Sequence, residues 1–316
     1  MKKILILGLM ITMLLSGCQK ENKEMTKIGI SQIVEYSALD ENRAGFIKAL
    51  EDNGYKEGEN LEIDYQNAQG DSATSQLIAQ NFVSKDKDLI FAIATGCAQS
   101  AYNATKEIPI VFSSVTDPVA AGIVESLEAS NTNVTGTTDI IPVEQQLKLV
   151  ELFKPETKRI GIIYNTSEVN SEIQVKALKQ ACTENGYEFV QRGVSATNEV
   201  QQAMASLADN IDLLFVPTDQ LVVSSLPVIV DVANKNDIPI IASEKGSVEN
   251  GALGTYGIDY NRLGYLAGEK AVAILKGEKP KDIKVDGLDQ YELVINVKQA
   301  ELLNINIPEE LEYTKQ

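Results

Sequence analysis

Four acidic residues stand where short apolar runs give way to polar tips. Glu35 follows the run from Ile28 to Val34, Glu168 the run from Ile160 to Tyr164, Asp219 the run from Leu213 to Val216, and Glu244 the run from Ile238 to Ala242. Hydroxyl and amide side chains gather at the same kind of place: Ser37, Thr95, Ser114, Thr116, Asn165, Asn170 and Ser243, with Gly96 beside Thr95. Lys245 is nearly the only base among them. Such a set suits a small zwitterion. Its carboxylate accepts from hydroxyls and from free N–H groups at helix starts, and its ammonium donates to Asp or Glu. A doubly charged anion would meet several carboxylates instead. Asp219 is the expected ammonium partner, Thr95, Ser114 and Thr116 the expected carboxylate side, and Asn165, Glu168 and Ser243 the opposite side. A sugar calls for more rings than Tyr36, Tyr164 and Tyr260 supply, so it is the weaker alternative.

Composition removes other chemistries. The chain has no histidine, so no Ser-His-Asp or Cys-His arrangement and no imidazole metal ligand can form. No cofactor and no metal is expected, and an enzyme of this sequence would have to work through Lys245 beside Glu244. The formal charge is −17, which repels phosphate backbones and argues against nucleic acid as a partner.

The positioning elements show in a duplicated pattern. Asp88-Leu89-Ile90-Phe91-Ala92-Ile93-Ala94-Thr95 returns as Asp212-Leu213-Leu214-Phe215-Val216-Pro217-Thr218, and each run reads as a strand buried on both faces of a parallel sheet. Asn53-Gly54-Tyr55 is echoed by Asn185-Gly186-Tyr187, and Ile108-Pro109-Ile110 by Ile238-Pro239-Ile240. The order of units agrees in both halves, which predicts an α/β protein of two Rossmann-like lobes with polar strand ends facing a common cleft. At 316 residues each lobe can bury its own core. Lobe 1 is expected over residues 27–140 plus 252–280, and lobe 2 over 141–251 plus 281–316. Residues 133–139 read as a β-prone connection, and Asp117-Pro118 as a helix start. Cys97 falls in one lobe and Cys182 in the other, which predicts two free thiols.

The N-terminus carries Lys2 and Lys3, an apolar stretch from Ile4 to Leu15, and Leu15-Ser16-Gly17-Cys18. This resembles the lipobox of bacterial lipoproteins. It implies a signal peptide over residues 1–17, lipidation of Cys18, and a polar tether over 18–26 that holds the protein on the outer face of a cell membrane.

Longer motifs complete the reading: Ser31-Gln32-Ile33-Val34-Glu35, Ser114-Val115-Thr116-Asp117-Pro118-Val119, Tyr164-Asn165-Thr166-Ser167-Glu168-Val169-Asn170-Ser171, Val216-Pro217-Thr218-Asp219 and Gly257-Ile258-Asp259-Tyr260. With these the chain resembles the substrate-binding lipoproteins of ABC importers in the tryptophan/tyrosine-binding (TrpX-like) family, of type I periplasmic-binding-protein fold. The resemblance implies a non-enzymatic, monomeric protein with crossovers between its lobes. It would trap an amino acid, often aromatic, and deliver it to a permease driven by a cytoplasmic ATPase. Members commonly show His-Pro after the first strand, where this chain has Tyr36-Ser37. A surface adhesin or sensory lipoprotein with the same cleft is the alternative.

Overall fold

In the computed structural model, which describes residues 25–316, the runs after Asp88 and Asp212 form strands in which every residue is buried. Numbered along the chain, the strands are β1 (Thr26–Gln32), β2 (Leu61–Asn67), β3 (Leu89–Ile93), β4 (Ile110–Ser113), β5 (Val134–Thr138), β6 (Arg159–Asn165), β7 (Glu188–Val194), β8 (Leu213–Val216), β9 (Ile240–Ala242), β10 (Gly254–Gly257), β11 (Asp286–Gly287), β12 (Glu292–Ile295) and β13 (Thr314–Lys315). The helices are α1 (Ser37–Asp52), α2 (Ser72–Ser84), α3 (Thr95–Ala104), α4 (Val143–Phe153), α5 (Val169–Asn185), α6 (Thr197–Ala208), α7 (Gln220–Ser224), α8 (Leu226–Lys235), α9 (Lys245–Glu249), α10 (Tyr260–Leu275) and α11 (Val297–Leu302). The signal peptide, Cys18 and nearly all of the expected tether lie outside the described residues; Thr26 already belongs to β1.

Two sheets form, in the orders β11-β5-β4-β3-β1-β2 and β13-β12-β10-β9-β8-β6-β7. Every pairing is parallel except β10 with β12. Each sheet is covered by helices on both faces, which is why its central strands read as unbroken apolar runs. In the first lobe, Phe46 of α1 stacks on Phe91 of β3 with ring centroids 3.7 Å apart, and Ala267 and Ala271 of α10 join that face. Phe82, Ala98 and Phe112 fill the other face. In the second lobe, Leu149 and Leu178 cover one face and Met204 and Ile229 the other. Cys97 and Cys182 are free and buried.

The chain passes between lobes after β5, after β10 and between β11 and β12. The second passage comes later than expected. Residues 252–257 were assigned to lobe 1, but Gly254 pairs with Ile241 of β9 and with Ile295 of β12. The glycines here allow close packing in a strand: a Cβ on Gly254 would lie 3.1 Å from Phe153, and one on Gly257 2.6 Å from Lys245. The third passage is also later. Asp286 and Gly287 pair with Thr137 and Thr138, so β11 extends the first sheet instead of opening the second. Two local expectations change as well. Residues 134–138 are a full strand, and Asp117 caps a turn rather than a helix, accepting from Val119 N at 3.0 Å and Ala120 N at 2.9 Å.

Helix α10 reaches lobe 1 through a backbone-to-backbone crossing with α1. A Cβ on Gly264 would sit 1.8 Å from the Asn42 carbonyl oxygen, and one on Gly45 1.9 Å from that of Asn261. Those atoms are backbone and cannot turn aside. Gly264→Ala is therefore expected to lower unfolding stability by about 1–3 kcal/mol; urea titration of lobe 1 measures it, and an unchanged midpoint would show that the two helices separate at little cost.

Candidate functional site

The strand ends of the two sheets meet over a common cleft. On the lobe 1 side it is lined by Ile33, Val34 and Tyr36 after β1, Ala94, Thr95 and Gly96 after β3, Ser114 and Thr116 after β4, and Asp139 after β5. Two of these positions are strained. Ala94 has φ 78° and ψ 159°, a region that side chains other than glycine's rarely enter, and Ser114 has φ 56°. Such conformations cost on the order of 1–3 kcal/mol each and persist only where the surroundings impose them. Ala94 turns the chain from β3 directly into α3, whose N-terminus has no side-chain cap. Its first N–H groups thus begin at the cleft, a place that favours negative charge. The Ser114 hydroxyl accepts from Asn42 Nδ2 at 3.0 Å, leaving its own proton to donate outward.

On the lobe 2 side stand Glu168 and Asn170 after β6, Thr218, Asp219 and Gln220 after β8, Val223 and Ser224 on α7, and Glu244 after β9. Asp219 is completely buried and spends both oxygens on its own lobe. Oδ2 accepts from Asn165 N at 2.5 Å and Ser171 Oγ at 2.7 Å, and Oδ1 from Val222 N at 3.0 Å. Glu244 caps α9, accepting from Gly246 N at 2.6 Å and Ser247 N at 2.7 Å, and takes the Tyr36 hydroxyl from across the cleft. Glu168 accepts from Asn165 Nδ2 at 2.8 Å and Asn170 Nδ2 at 3.3 Å.

None of the lining residues is Lys or Arg. The carboxyl groups therefore titrate high. Burial first, then the neighbouring Asp219, pushes Glu168 up to about 7, and burial raises Asp139 to about 6. Burial likewise raises Asp219 and Glu244. No group of three or more His, Cys, Asp or Glu side chains among the described residues is arranged to hold a metal ion.

Of the residues singled out in the sequence, Thr95, Gly96, Ser114, Thr116, Glu168, Asn170, Asp219 and Glu244 line the cleft, and Ser37, Asn165 and Ser243 do not. Ser37 begins α1 and is exposed, while the preceding Tyr36 turns inward. Asn165 is spent orienting Asp219 and Glu168, and the Ser243 hydroxyl donates to Gln174 Oε1 at 3.3 Å. Glu35 is exposed, and Lys245 pairs with Glu292 away from the lining. Tyr36 and Tyr260 line the cleft, whereas Tyr164 packs against the lobe 2 core. Sequence reasoning missed Asp139, Gln220 and Ser224 as lining residues.

A raised carboxyl keeps its proton in the folded chain at pH values where the unfolded chain has lost it. For Glu168 the folded state is thus favoured below the ordinary value of 4.5, and that contribution is lost as pH rises through about 7. Asp212, held down to about 2 chiefly by Arg159 and backbone N–H donors against the cost of its burial, acts in the opposite sense but only below its ordinary value of 3.8. The melting temperature of the ligand-free protein is therefore expected to fall between pH 5 and pH 7.5, and Glu168→Gln to flatten that slope. Scanning calorimetry across the pH series decides it; an equal slope in the variant would move the proton to another group.

Comparison with known proteins agrees with this geometry. Residues 27–315 match the family model described as ABC transporter substrate binding protein. A "Tyrosine-binding protein" of Clostridioides difficile (strain R20291) is 51% identical over 320 residues, covering 96% of this chain and 93% of that protein. Among solved structures, a substrate binding protein with adhesive properties from Clostridium difficile, in its ligand-free, open form, is 50% identical with a TM-score of 0.73, covering 92% and 99% of the two chains. An ABC domain from Streptococcus pneumonia in complex with L-Trp is 34% identical over the same shares, with a TM-score of 0.89. The less identical, ligand-bound structure superposes better, in keeping with the contact that Tyr36 and Glu244 make across the cleft. The chain belongs to the ABC transporter substrate-binding protein family, a family of solute binders rather than enzymes, and has the type I periplasmic-binding-protein fold.

Proposed function

We propose that this protein is the extracytoplasmic, lipid-anchored receptor of an ABC importer, and that it traps an aromatic amino acid of the tyrosine or tryptophan kind for a membrane permease. The observation that carries the reading is the polarity of the cleft. One wall offers an uncapped helix start and the hydroxyls of Thr95, Ser114 and Thr116, buried acids stand without any lysine or arginine, and Ile33, Val34, Leu39 and Val223 supply apolar surface between them. An α-amino acid with a large apolar side chain answers all three features. The Clostridioides difficile and Streptococcus relatives, named for tyrosine and solved with L-Trp, support the same ligand class. The anchor rests on Cys18 and its lipobox, and no helix among the described residues is long and apolar enough to cross a membrane. Surface adhesion stands as a second reading, favoured by the 50% identical relative described as having adhesive properties.

Thermal shift of residues 25–316 against the twenty amino acids tests the ligand class. Tyrosine or tryptophan at a hundredfold excess over its Kd should raise the melting temperature by about 5 °C or more. No shift with any of the twenty would sink the reading. The anchor is tested in cells by metabolic labelling with an alkynyl palmitate analogue. The wild-type chain should take up label and Cys18→Ala should not; a labelled variant would place the lipid elsewhere.

A further inference from the structure

Four carboxyl groups line the cleft, but they are not equally free to receive a ligand. Both oxygens of Asp219 and both of Glu244 are engaged by protein donors, and each oxygen of Glu168 accepts from an asparagine amide. Asp139 differs. It is 8% exposed and lines the cleft; its Oδ2 accepts from the Tyr260 hydroxyl at 3.2 Å, and its Oδ1 has no partner. The local sequence accounts for one missing donor. An Asp or Glu at the end of a strand normally accepts from the N–H groups two and three residues ahead, as Glu244 does from Gly246 and Ser247 and Asp219 from Val222. Three residues after Asp139 comes Pro142, which has no N–H.

Position agrees with availability. Asp139 directly follows β5, and β5 lies beside β4, whose tip leads into Ser114 and Thr116. Neighbouring strands stand about 4.8 Å apart, so a carboxylate held at the β4 tip places an α-ammonium, two covalent bonds away, against the β5 tip. Thr138 Oγ1 donates to the Thr116 carbonyl at 3.0 Å and ties the two tips together.

We propose that Asp139 is the residue that receives the α-ammonium of the bound amino acid, in place of Asp219, which braces the turn of its own lobe. The assignment rests on the amino-acid reading above. The unpartnered oxygen belongs to a residue that lines a cleft without a cationic side chain, and burial raises the Asp139 carboxyl to about 6, as expected of a site that lacks its counter-charge. Tyr260 donates to the second oxygen, which leaves the first without a protein donor.

The test compares L-tyrosine and L-tryptophan with their des-amino analogues, 3-(4-hydroxyphenyl)propionate and 3-(indol-3-yl)propionate, by calorimetry on residues 25–316. Asp139→Asn keeps the shape and an oxygen for Tyr260. It should weaken binding of the amino acid by about 10- to 100-fold while leaving the des-amino acid unchanged or tighter, so the preference for the amino group collapses. Retained affinity for the des-amino acid also shows that the variant is folded. Asp219→Asn should lower the melting temperature and keep the preference. If Asp139→Asn keeps the wild-type preference, or Asp219→Asn or Glu168→Gln abolishes it, the assignment is overturned while the amino-acid reading stands. A wild-type chain that binds no amino acid overturns both.

Discussion

Negative charge shut into one cleft without a positive side chain is the constraint around which this molecule is organised. Taking a carboxylate out of water costs several kcal/mol unless it is paired or fully hydrogen-bonded. Two of the four acids meet that cost with backbone and hydroxyl donors, and Tyr36 adds its hydroxyl to Glu244. Glu168 is served by side-chain amides, with no backbone N–H or hydroxyl donor, and stands beside Asp219, so the pair holds a proton near neutrality. Closing the lobes over an empty cleft therefore either binds protons or strands charge. A cationic group on the ligand removes the penalty, and this is the differential interaction a ligand needs to shift an open–closed equilibrium.

The lobes that frame the cleft are legible in the sequence for a physical reason. A strand covered on both faces must be apolar throughout, so the runs after Asp88 and Asp212 stand out, and their polar ends mark the cleft. The crossings are less legible because they depend on packing between distant residues. Gly254 and Gly257 carry the composition of a loop, yet they sit in a central strand where Phe153 and Lys245 leave no room for a Cβ. The short β11 is recognisable only by its partner β5.

Among the acids, the sequence marks strand-end position but not availability. Asp219 and Asp139 both follow an apolar or β-prone run, and only the donors that come after them separate the two. Val222 supplies an N–H to Asp219, whereas Pro142 withholds one from Asp139. Ser37 and Asn165 stand off the cleft lining for a related reason. The side chain that reaches the cleft is one residue before Ser37, where the extended backbone of Tyr36 points its ring toward Glu244, and Asn165 turns inward to hold two acids.

The strain at Ala94 and Ser114 bears on the order in which the ligand meets the two lobes. Those conformations are imposed by the lobe 1 core: Ala94 N donates to Ser113 O at 2.9 Å, and Asn42, completely buried in α1, holds Ser113 Oγ at 2.8 Å and Ser114 Oγ at 3.0 Å. The donors for a carboxylate are thus arranged before any ligand arrives, and Asp139, anchored by Tyr260 at the start of α10, is arranged with them. On the proposed assignment, both ends of the α-carbon are read by lobe 1. On that assignment the side chain falls to lobe 2, where Val223, Gln220, Glu168 and Asn170 line the cleft. If the ligand is the amino acid proposed above, lobe 1 selects its α-carbon groups and lobe 2, by the free energy it gains or loses on closing, selects among side chains.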